Sequence, residues 1–327
     1  MKKIFIDGKA GTTGLRIEQR LSLREDVEII SLPEELRKDP SARKEMLNAA
    51  DFVFLCLPDQ AAIEAVEMVE TPAVTVIDAS TAHRTRADWA YGFPELSADF
   101  LKKIQTSNRI AVPGCHASGF IALVYPLIEA GILDENALLT CHSITGYSGG
   151  GNAMIKEYQA VDRSTLIKVP CQYANRQTHK HLKEMTAISG LKVAPVFCPI
   201  VSDFYSGMLV TVPLFASQLK RGGVAEIKEV YRTKYQSAVV RYEAPSDDWK
   251  VGFASAAERS EYDSMKITVD GNEERILLMA AYDNLGKGAS GAAIECMNLA
   301  LGIERTTGLV ITHGDLVAEN GKRKGRQ

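Results

Sequence analysis

Residues 1–14 read MKKIFIDGKAGTTG, and their order decides the fold. KKIFID, residues 2–7, is a short apolar run of strand character. GKAGTTG follows at once, and LRIEQRLSL behind it has helical spacing at Leu15, Ile17 and Leu21. Strand, glycine-rich turn and helix in that order open a βαβ unit. Working outward, VEIISL (27–32) predicts a second strand with its tip at Ser31. ADFVFLCLP (50–58) predicts a third, ended by Pro58. DQAAIEAVEMV (59–69) is helical, with Ala61, Ala65, Val66 and Val69 apolar, and AVTVIDAS (73–80) predicts a fourth strand. Continuous apolar strands alternating with helices belong to a parallel sheet covered on both faces. The fold class is α/β, with a Rossmann-type first domain.

Gly8, Gly11 and Gly14 stand three apart between the first strand and the first helix. Such a turn uses glycine so that backbone N–H groups can approach a pyrophosphate, with the helix N-terminus adding partial positive charge. Thr12 and Thr13 can add hydroxyl donors. A dinucleotide is the expected ligand, although the GxxGxxG spacing differs from GxGxxG. Enzymes that prefer NAD usually carry Asp or Glu at the second strand tip for the ribose 2′-hydroxyl. Here Ser31 occupies the tip, with Arg37 and Lys38 beyond it, which leans towards NADP; Glu34 and Glu35 lean the other way.

The pattern changes near residue 115. IAVPGCHASGF places Cys115 after a Pro-Gly turn, at the start of an apolar helix expected over about 117–130. A thiol at a helix N-terminus has its pKa lowered, because the dipole favours thiolate, and amides there can hold an oxyanion. Cys56, Cys141 and Cys296 sit inside strand or helix patterns and read as packing residues. A thiolate nucleophile needs a base and an orienting group. THKHLKEM offers His179 and His181, with Glu184 close by, for one general base and one substrate contact. A third ligand with metal-site spacing is missing, so no metal is expected.

Later strands group together: GMLVTVPLF, KITVDG and RILLMAAYDN, which suggests a mixed α+β second domain. GKGASGAAIECMNLALGIE then reads as a glycine-rich turn and an amphipathic helix returning to the first domain, and the polar, basic ENGKRKGRQ as a frayed end. The expected domains are 1–115, completed by the C-terminal helix 286–327, for the dinucleotide, and 116–285 for catalysis and oligomerisation.

With 327 residues, two domains are the prior. The apolar share of 46%, charged share of 24% and net charge of −3 favour neither nucleic acid nor an acidic membrane. There is no basic segment leading into a long apolar one, and no run of about 18 apolar residues, so neither a secretory signal nor a membrane span is expected. Six scattered cysteines without a CxxC pair fit a reducing cytoplasm.

GKAGTTG, FLCLP, DASTAHR, YGFPEL, VPGCHASG, THKHLKE and DNLGKGASG occur in that order. In this the chain resembles the N-acetyl-γ-glutamyl-phosphate reductase family over nearly its whole length, in its short subtype. The resemblance implies a semialdehyde-dehydrogenase type of second domain and an NADPH-dependent reduction of an acyl phosphate, in arginine biosynthesis, through a thioester on Cys115. It puts the base on the HxH element, with His179 favoured, His181 kept as a substrate-side candidate and Glu184 orienting one of them. It places Ser80 and Arg84 near the substrate phosphate, with Ser80 and Pro58 also counted at the cofactor site. Asn284, Gly286, Lys287 and Gly288 would help close the cofactor site, and Ser148 and Gly149 would contact substrate. It implies a small-molecule substrate and a homodimer or homotetramer. Departures from the family pattern are His116, where an aromatic residue is common, the loop SITGYSGGGN, Lys180 between the two histidines, and Lys183. The competing readings are an aspartate-semialdehyde dehydrogenase and a non-catalytic NADP-binding regulator.

Overall fold

A computed structural model describes residues 1–245 and 253–324. In chain order the elements are β1 (Lys2–Asp7), α1 (Thr12–Leu21), β2 (Val27–Ile30), α2 (Pro40–Ala49), β3 (Phe52–Leu55), α3 (Asp59–Met68), β4 (Thr75–Asp78), β5 (Ala90–Tyr91), α4 (Ala98–Thr106) and β6 (Arg109–Ala111). Then come α5 (Cys115–Glu129), β7 (Thr140–Gly146), α6 (Gly151–Gln159), β8 (Cys171–Gln172), α7 (His181–Ser189), β9 (Val196–Ser202), β10 (Met208–Phe215), α8 (Val224–Lys234), β11 (Val240–Tyr242), β12 (Met265–Gly271), β13 (Arg275–Tyr282), α9 (Gly291–Leu301) and α10 (His313–Lys324). Two compact units emerge: residues 1–113 with 289–327, and residues 114–288.

The first unit is a parallel sheet in the order β2-β1-β3-β4-β6-β5. Its central strands β3 and β4 are buried along their whole length, as their continuous apolar runs require. The chain order reverses between β1 and β3, and ligands of such sheets bind at the carboxyl ends of the strands flanking this switch. The turn after β1 passes tightly against the end of β3: Gly8 has φ +85°, and a Cβ there would sit 2.3 Å from the Cys56 carbonyl oxygen. Glycine is required at that point on both counts.

Four expectations need correction. β2 ends at Ile30, one residue before Ser31. Leu15 is 41% exposed, so the buried face of α1 rests on Ile17 and Leu21. Helix α9 is not amphipathic: residues 291–299 are all buried, because α1, α4 and β4 surround it. The tail is helical rather than frayed up to Lys324, within α10, and 325–327 lie outside the described residues.

The second unit is a mixed sheet, β11-β12-β13-β10-β7-β9-β8, with α5 packed on β10 and β13 and against α7 and α8. Helix α5 is apolar on nearly all sides and carries Pro126 inside it. A proline cannot donate to the carbonyl four residues earlier, that of Ala122. Tyr235 fills the gap: its hydroxyl donates to the Ala122 oxygen at 2.7 Å, and the Tyr231 hydroxyl donates to the neighbouring Leu123 oxygen. Both tyrosines are buried, so burial pushes the Tyr231 phenol well above its usual range. The long helix that begins at Cys115 is held by these two bonds to α8 and to Tyr235 at its C-terminal end.

Candidate active site

Cys115 is the first residue of α5, directly after Pro113-Gly114. Glu184, buried in the first turn of α7, accepts the Gly114 N–H at 2.8 Å. The Gly114 carbonyl receives the Ser118 N–H at 2.8 Å and the Ser118 hydroxyl at 3.0 Å. From the other side the Tyr282 hydroxyl donates to the Cys115 carbonyl at 2.5 Å and accepts the Gly119 N–H at 3.0 Å. Each bond fixes backbone rather than the thiol, so the turn that presents the sulfur is rigid. Gly288 completes the wall: a Cβ on it would lie 3.2 Å from Cys115 Cβ.

Three imidazoles gather beside this turn. The His116 ring lies 5.7 Å from His179 and 5.6 Å from His181, and the latter two are 4.7 Å apart, centroid to centroid. Among the described residues no group of His, Cys, Asp and Glu is placed to hold a metal ion. His179 Nδ1 accepts the His181 backbone N–H at 3.1 Å. A neutral imidazole that accepts at Nδ1 carries its proton on Nε2. His179 therefore offers an N–H at its outer nitrogen, which qualifies the reading of this residue as a base. Burial, reinforced by the Lys180 charge, pushes its pKa down to about 4, so the ring is neutral across ordinary working pH.

The loop carrying His179 is held in a costly conformation. Ala174 and Gln177 have φ of +53° and +57°, a region that non-glycine residues rarely occupy. Gln177 is anchored by a two-point bridge: its amide donates to the Phe197 oxygen and accepts the Phe197 N–H, each at 2.8 Å. The Phe197 ring then packs against His179 at 5.2 Å and His116 at 5.3 Å.

The segment after β13 stays within the same unit up to Gly288. Asp283 is buried and accepts from the Ser206 hydroxyl and the Leu285 and Gly286 amides. Asn284 accepts the Gly207 N–H at 2.9 Å and donates to the Ser148 hydroxyl at 3.0 Å. Gly149 sits next to that contact, 3.5 Å from the Asn284 amide as measured from a built Cβ. Asn284 thus pins the loop of Ser148 and Gly149. Lys287 is buried, and at Gly286 a Cβ would meet the Tyr262 carbonyl oxygen at 2.1 Å.

In the first unit Gly11 is the N-terminal flank of α1, which has no side-chain cap, with Thr12, Thr13 and Gly14 in its first turn. A Cβ at Gly14 would stand 2.7 Å from Lys9 Cα. A small cleft beside this loop is lined by Asp7, Gly8, Lys9, Ser31 and Arg37. Arg37 pairs with Glu34 at 3.1 Å. Asp7, at the tip of β1, is held by Arg43 at 2.8 Å. Pro58 precedes α3 as its flanking residue. In the DASTAHR segment the buried Asp78 carboxylate takes the Ser80 hydroxyl at 2.7 Å and His83 Nδ1 at 2.6 Å, and His83 stacks on Trp89 at 4.0 Å. Arg84 is buried, with Nε on the Val112 carbonyl and Nη2 on that of Ala79. It braces the loop after β4 against the end of β6.

Sequence reading missed Lys9 in the cleft, and Tyr173 and Tyr282 around Cys115; Ser143 entered it only as the first residue of the SITGYSGGGN loop. It noted His116 only as a departure. A histidine inside an otherwise apolar helix must find partners, and that signal could have singled it out.

Sequence profiles of the semialdehyde dehydrogenase NAD binding domain and of the semialdehyde dehydrogenase dimerisation domain match residues 4–104 and 115–284. An N-acetyl-gamma-glutamyl-phosphate reductase of Chelativorans sp. (strain BNC1) is 43% identical over 91% of this chain and 98% of that protein. The chain belongs to the N-acetyl-γ-glutamyl-phosphate reductase family. A second reductase of that name, from Trichormus variabilis, is 41% identical over 94% of this chain and 99% of its own length. Among solved structures, aspartate semialdehyde dehydrogenase II of Vibrio cholerae, complexed with ASA, superposes with a TM-score of 0.66 at 15% identity, over 92% of this chain and 98% of that one. Aspartate semialdehyde dehydrogenase with NADP from Candida albicans gives 0.63 at 14%, over 91% and 98%. At such identities the likeness shows the shared fold alone, and the reductase family is carried by the sequence relatives. No helix among the described residues is long and apolar enough to cross a membrane.

Proposed function

We propose that this chain reduces N-acetyl-γ-glutamyl phosphate to N-acetylglutamate semialdehyde with NADPH, in arginine biosynthesis, through a thioester on Cys115. The observation that carries the reading is Cys115 at the first position of α5, on a turn clamped by Glu184 and beside the histidine cluster, in a member of this reductase family.

Cys115 Sγ, as the thiolate, bonds to the acyl carbon as phosphate leaves; once that carbon has received hydride, the S–C bond breaks, the aldehyde departs and the thiolate returns. The His179 Nε2–H donates to the acyl oxygen, where negative charge develops, and His181 completes the acid–base pair at the substrate. Glu184 holds the turn, and Ser148 and Gly149 meet the substrate.

The first unit fits a dinucleotide, since glycine is sterically demanded at Gly8 and Gly14 and α1 has no side-chain cap. Gly8, Gly11, Thr12, Thr13 and Gly14 would hold the pyrophosphate, and Ser31, Arg37 and Lys9 the 2′-phosphate of NADP. Pro58, Ser80, Asn284, Gly286, Lys287 and Gly288 are assigned to the rest of the cofactor site, and Arg84 to the substrate phosphate. When bound, NADPH supplies the hydride to the acyl carbon.

The chain is assigned as a cytoplasmic homodimer or homotetramer. In support, residues 115–284 match a dimerisation domain, and the second sheet leaves Phe215 and Leu277 exposed. Sedimentation distinguishes the two states. The decisive test of the reaction is incubation with N-acetylglutamate semialdehyde, phosphate and NADP. Phosphate-dependent NADPH absorbance supports the reading; turnover of aspartate semialdehyde in its place would overturn it.

A further inference from the structure

His116 follows the nucleophile directly and is 3% exposed. Its two ring nitrogens are both engaged: Nδ1 with the Ser143 hydroxyl at 2.6 Å and Nε2 with the Tyr173 hydroxyl at 2.7 Å. Ser143 is wholly buried in β7, central in the second sheet, so one end of the bridge is anchored in the core. The other end is a half-buried phenol in the loop that carries His179, with the Tyr173 and His179 rings 6.0 Å apart. Cys115 lies near enough for a thiolate to oppose ionisation of that phenol, which burial already pushes well above its usual range.

We infer that His116 is a positioning residue for the reaction at Cys115, bridging the core hydroxyl of Ser143 to Tyr173 so that the Tyr173 hydroxyl is aimed at the reacting group. The inference rests on the function proposed above. The ring also supports His179 and Phe197 by edge contacts, so its planar shape and its two nitrogens serve together. Burial, and then the neighbouring His179, push the His116 pKa down to about 3, which leaves a neutral ring with one donor and one acceptor nitrogen. Both partners are hydroxyls, which donate or accept by rotating. The bridge can therefore run in either sense. When His116 Nε2–H donates to Tyr173, the phenolic proton is released to donate to a substrate oxygen; when the sense reverses, Tyr173 accepts there instead. An apolar ring at position 116 would keep the packing and lose the bridge.

Glutamine and asparagine separate this role from packing. A Gln amide reaches roughly where His Nε2 lies, and an Asn amide roughly where Nδ1 lies. His116→Gln should retain kcat within about threefold, and His116→Asn should lose about tenfold or more, the scale of one buried hydrogen bond. KM and NADPH affinity should be alike in both. In a Tyr173→Phe background the difference between Gln and Asn should vanish, since the bond that distinguishes them is gone. Equal losses for Gln and Asn, or a difference that persists without the Tyr173 hydroxyl, would overturn the assignment. The same four variants read by the rate of Cys115 alkylation with iodoacetamide need no substrate. The Gln–Asn difference should appear there too, so failure of the bridge is distinguishable from failure of the proposed reaction. Should either His116 variant not fold, Ser143→Ala and Tyr173→Phe, alone and combined, test the same bridge: non-additive losses support it, and additive losses contradict it.

Discussion

The buried Glu184 carboxylate accepts the Gly114 amide at 2.8 Å, joining the first turn of α7 to the turn that presents Cys115. One element thus carries both His181 and the group that fixes the nucleophile's backbone. Removing the acceptor leaves a buried amide unsatisfied, at a cost of about 1–3 kcal/mol. Glu184→Ala should lower kcat by about tenfold or more and lower the melting temperature, with little change in NADPH affinity. Glu184→Gln keeps an oxygen acceptor and should fall between Ala and the parent. Steady-state kinetics beside a fluorescence titration of NADPH check this pair.

Tyr235 offers a test of the fold without the chemistry. Its hydroxyl satisfies the Ala122 carbonyl that Pro126 leaves without a donor. Tyr235→Phe should cost about 1–2 kcal/mol of stability, seen as a lower midpoint in urea with an unchanged slope. Catalytic constants of the folded variant should stay the same.

The histidines set a pH signature. His179 titrates at about 4 in the folded chain, against about 6.5 when unfolded. The unfolded chain therefore binds more protons between these values, so stability is full above about pH 6.5 and declines as pH falls towards 4. His116, depressed to about 3, acts in the same direction. Activity governed by a neutral His179 should show no loss between pH 7 and 5.5 at saturating substrate. An acid limb centred near 6.5 would contradict the neutral ring.

The glycine loop gives a paired comparison. A Cβ at Gly8 would press on the Cys56 carbonyl, in a backbone region closed to alanine, whereas Gly11 has nothing nearer than 3.5 Å. Gly8→Ala should lower the melting temperature with or without cofactor. Gly11→Ala should change it much less and still weaken NADP binding, because its methyl group would stand at the helix end that receives the pyrophosphate. Calorimetric titration and thermal melts distinguish the two.

Local features were legible in the sequence, and long-range ones were not. KKIFID corresponds to β1, Lys2–Asp7, because an apolar run ended by glycine is a local signal. Cys115 could be placed at a helix start from Pro113 and Gly114 alone. The bridge from Ser143 through His116 to Tyr173 joins positions 27 and 57 residues from the histidine, and nothing in their local patterns announces it. Tyr235 meets the carbonyl freed by Pro126 from 113 residues away. Helix α9 misled the reading in the opposite sense. Its polar Glu295 and Asn298 suggest an exposed face, yet both are buried, Glu295 paired with Arg305 and Asn298 bonded to Arg24 at 2.6 Å.

Everything in the proposed reaction passes through the sulfur of Cys115. The direct measurement is turnover and NADPH affinity of Cys115→Ser compared with the parent. Reduction of the acyl phosphate should be abolished while the NADPH dissociation constant stays within about twofold. Turnover near the parent value, or an equal loss of turnover and cofactor binding, would contradict a covalent role for Cys115.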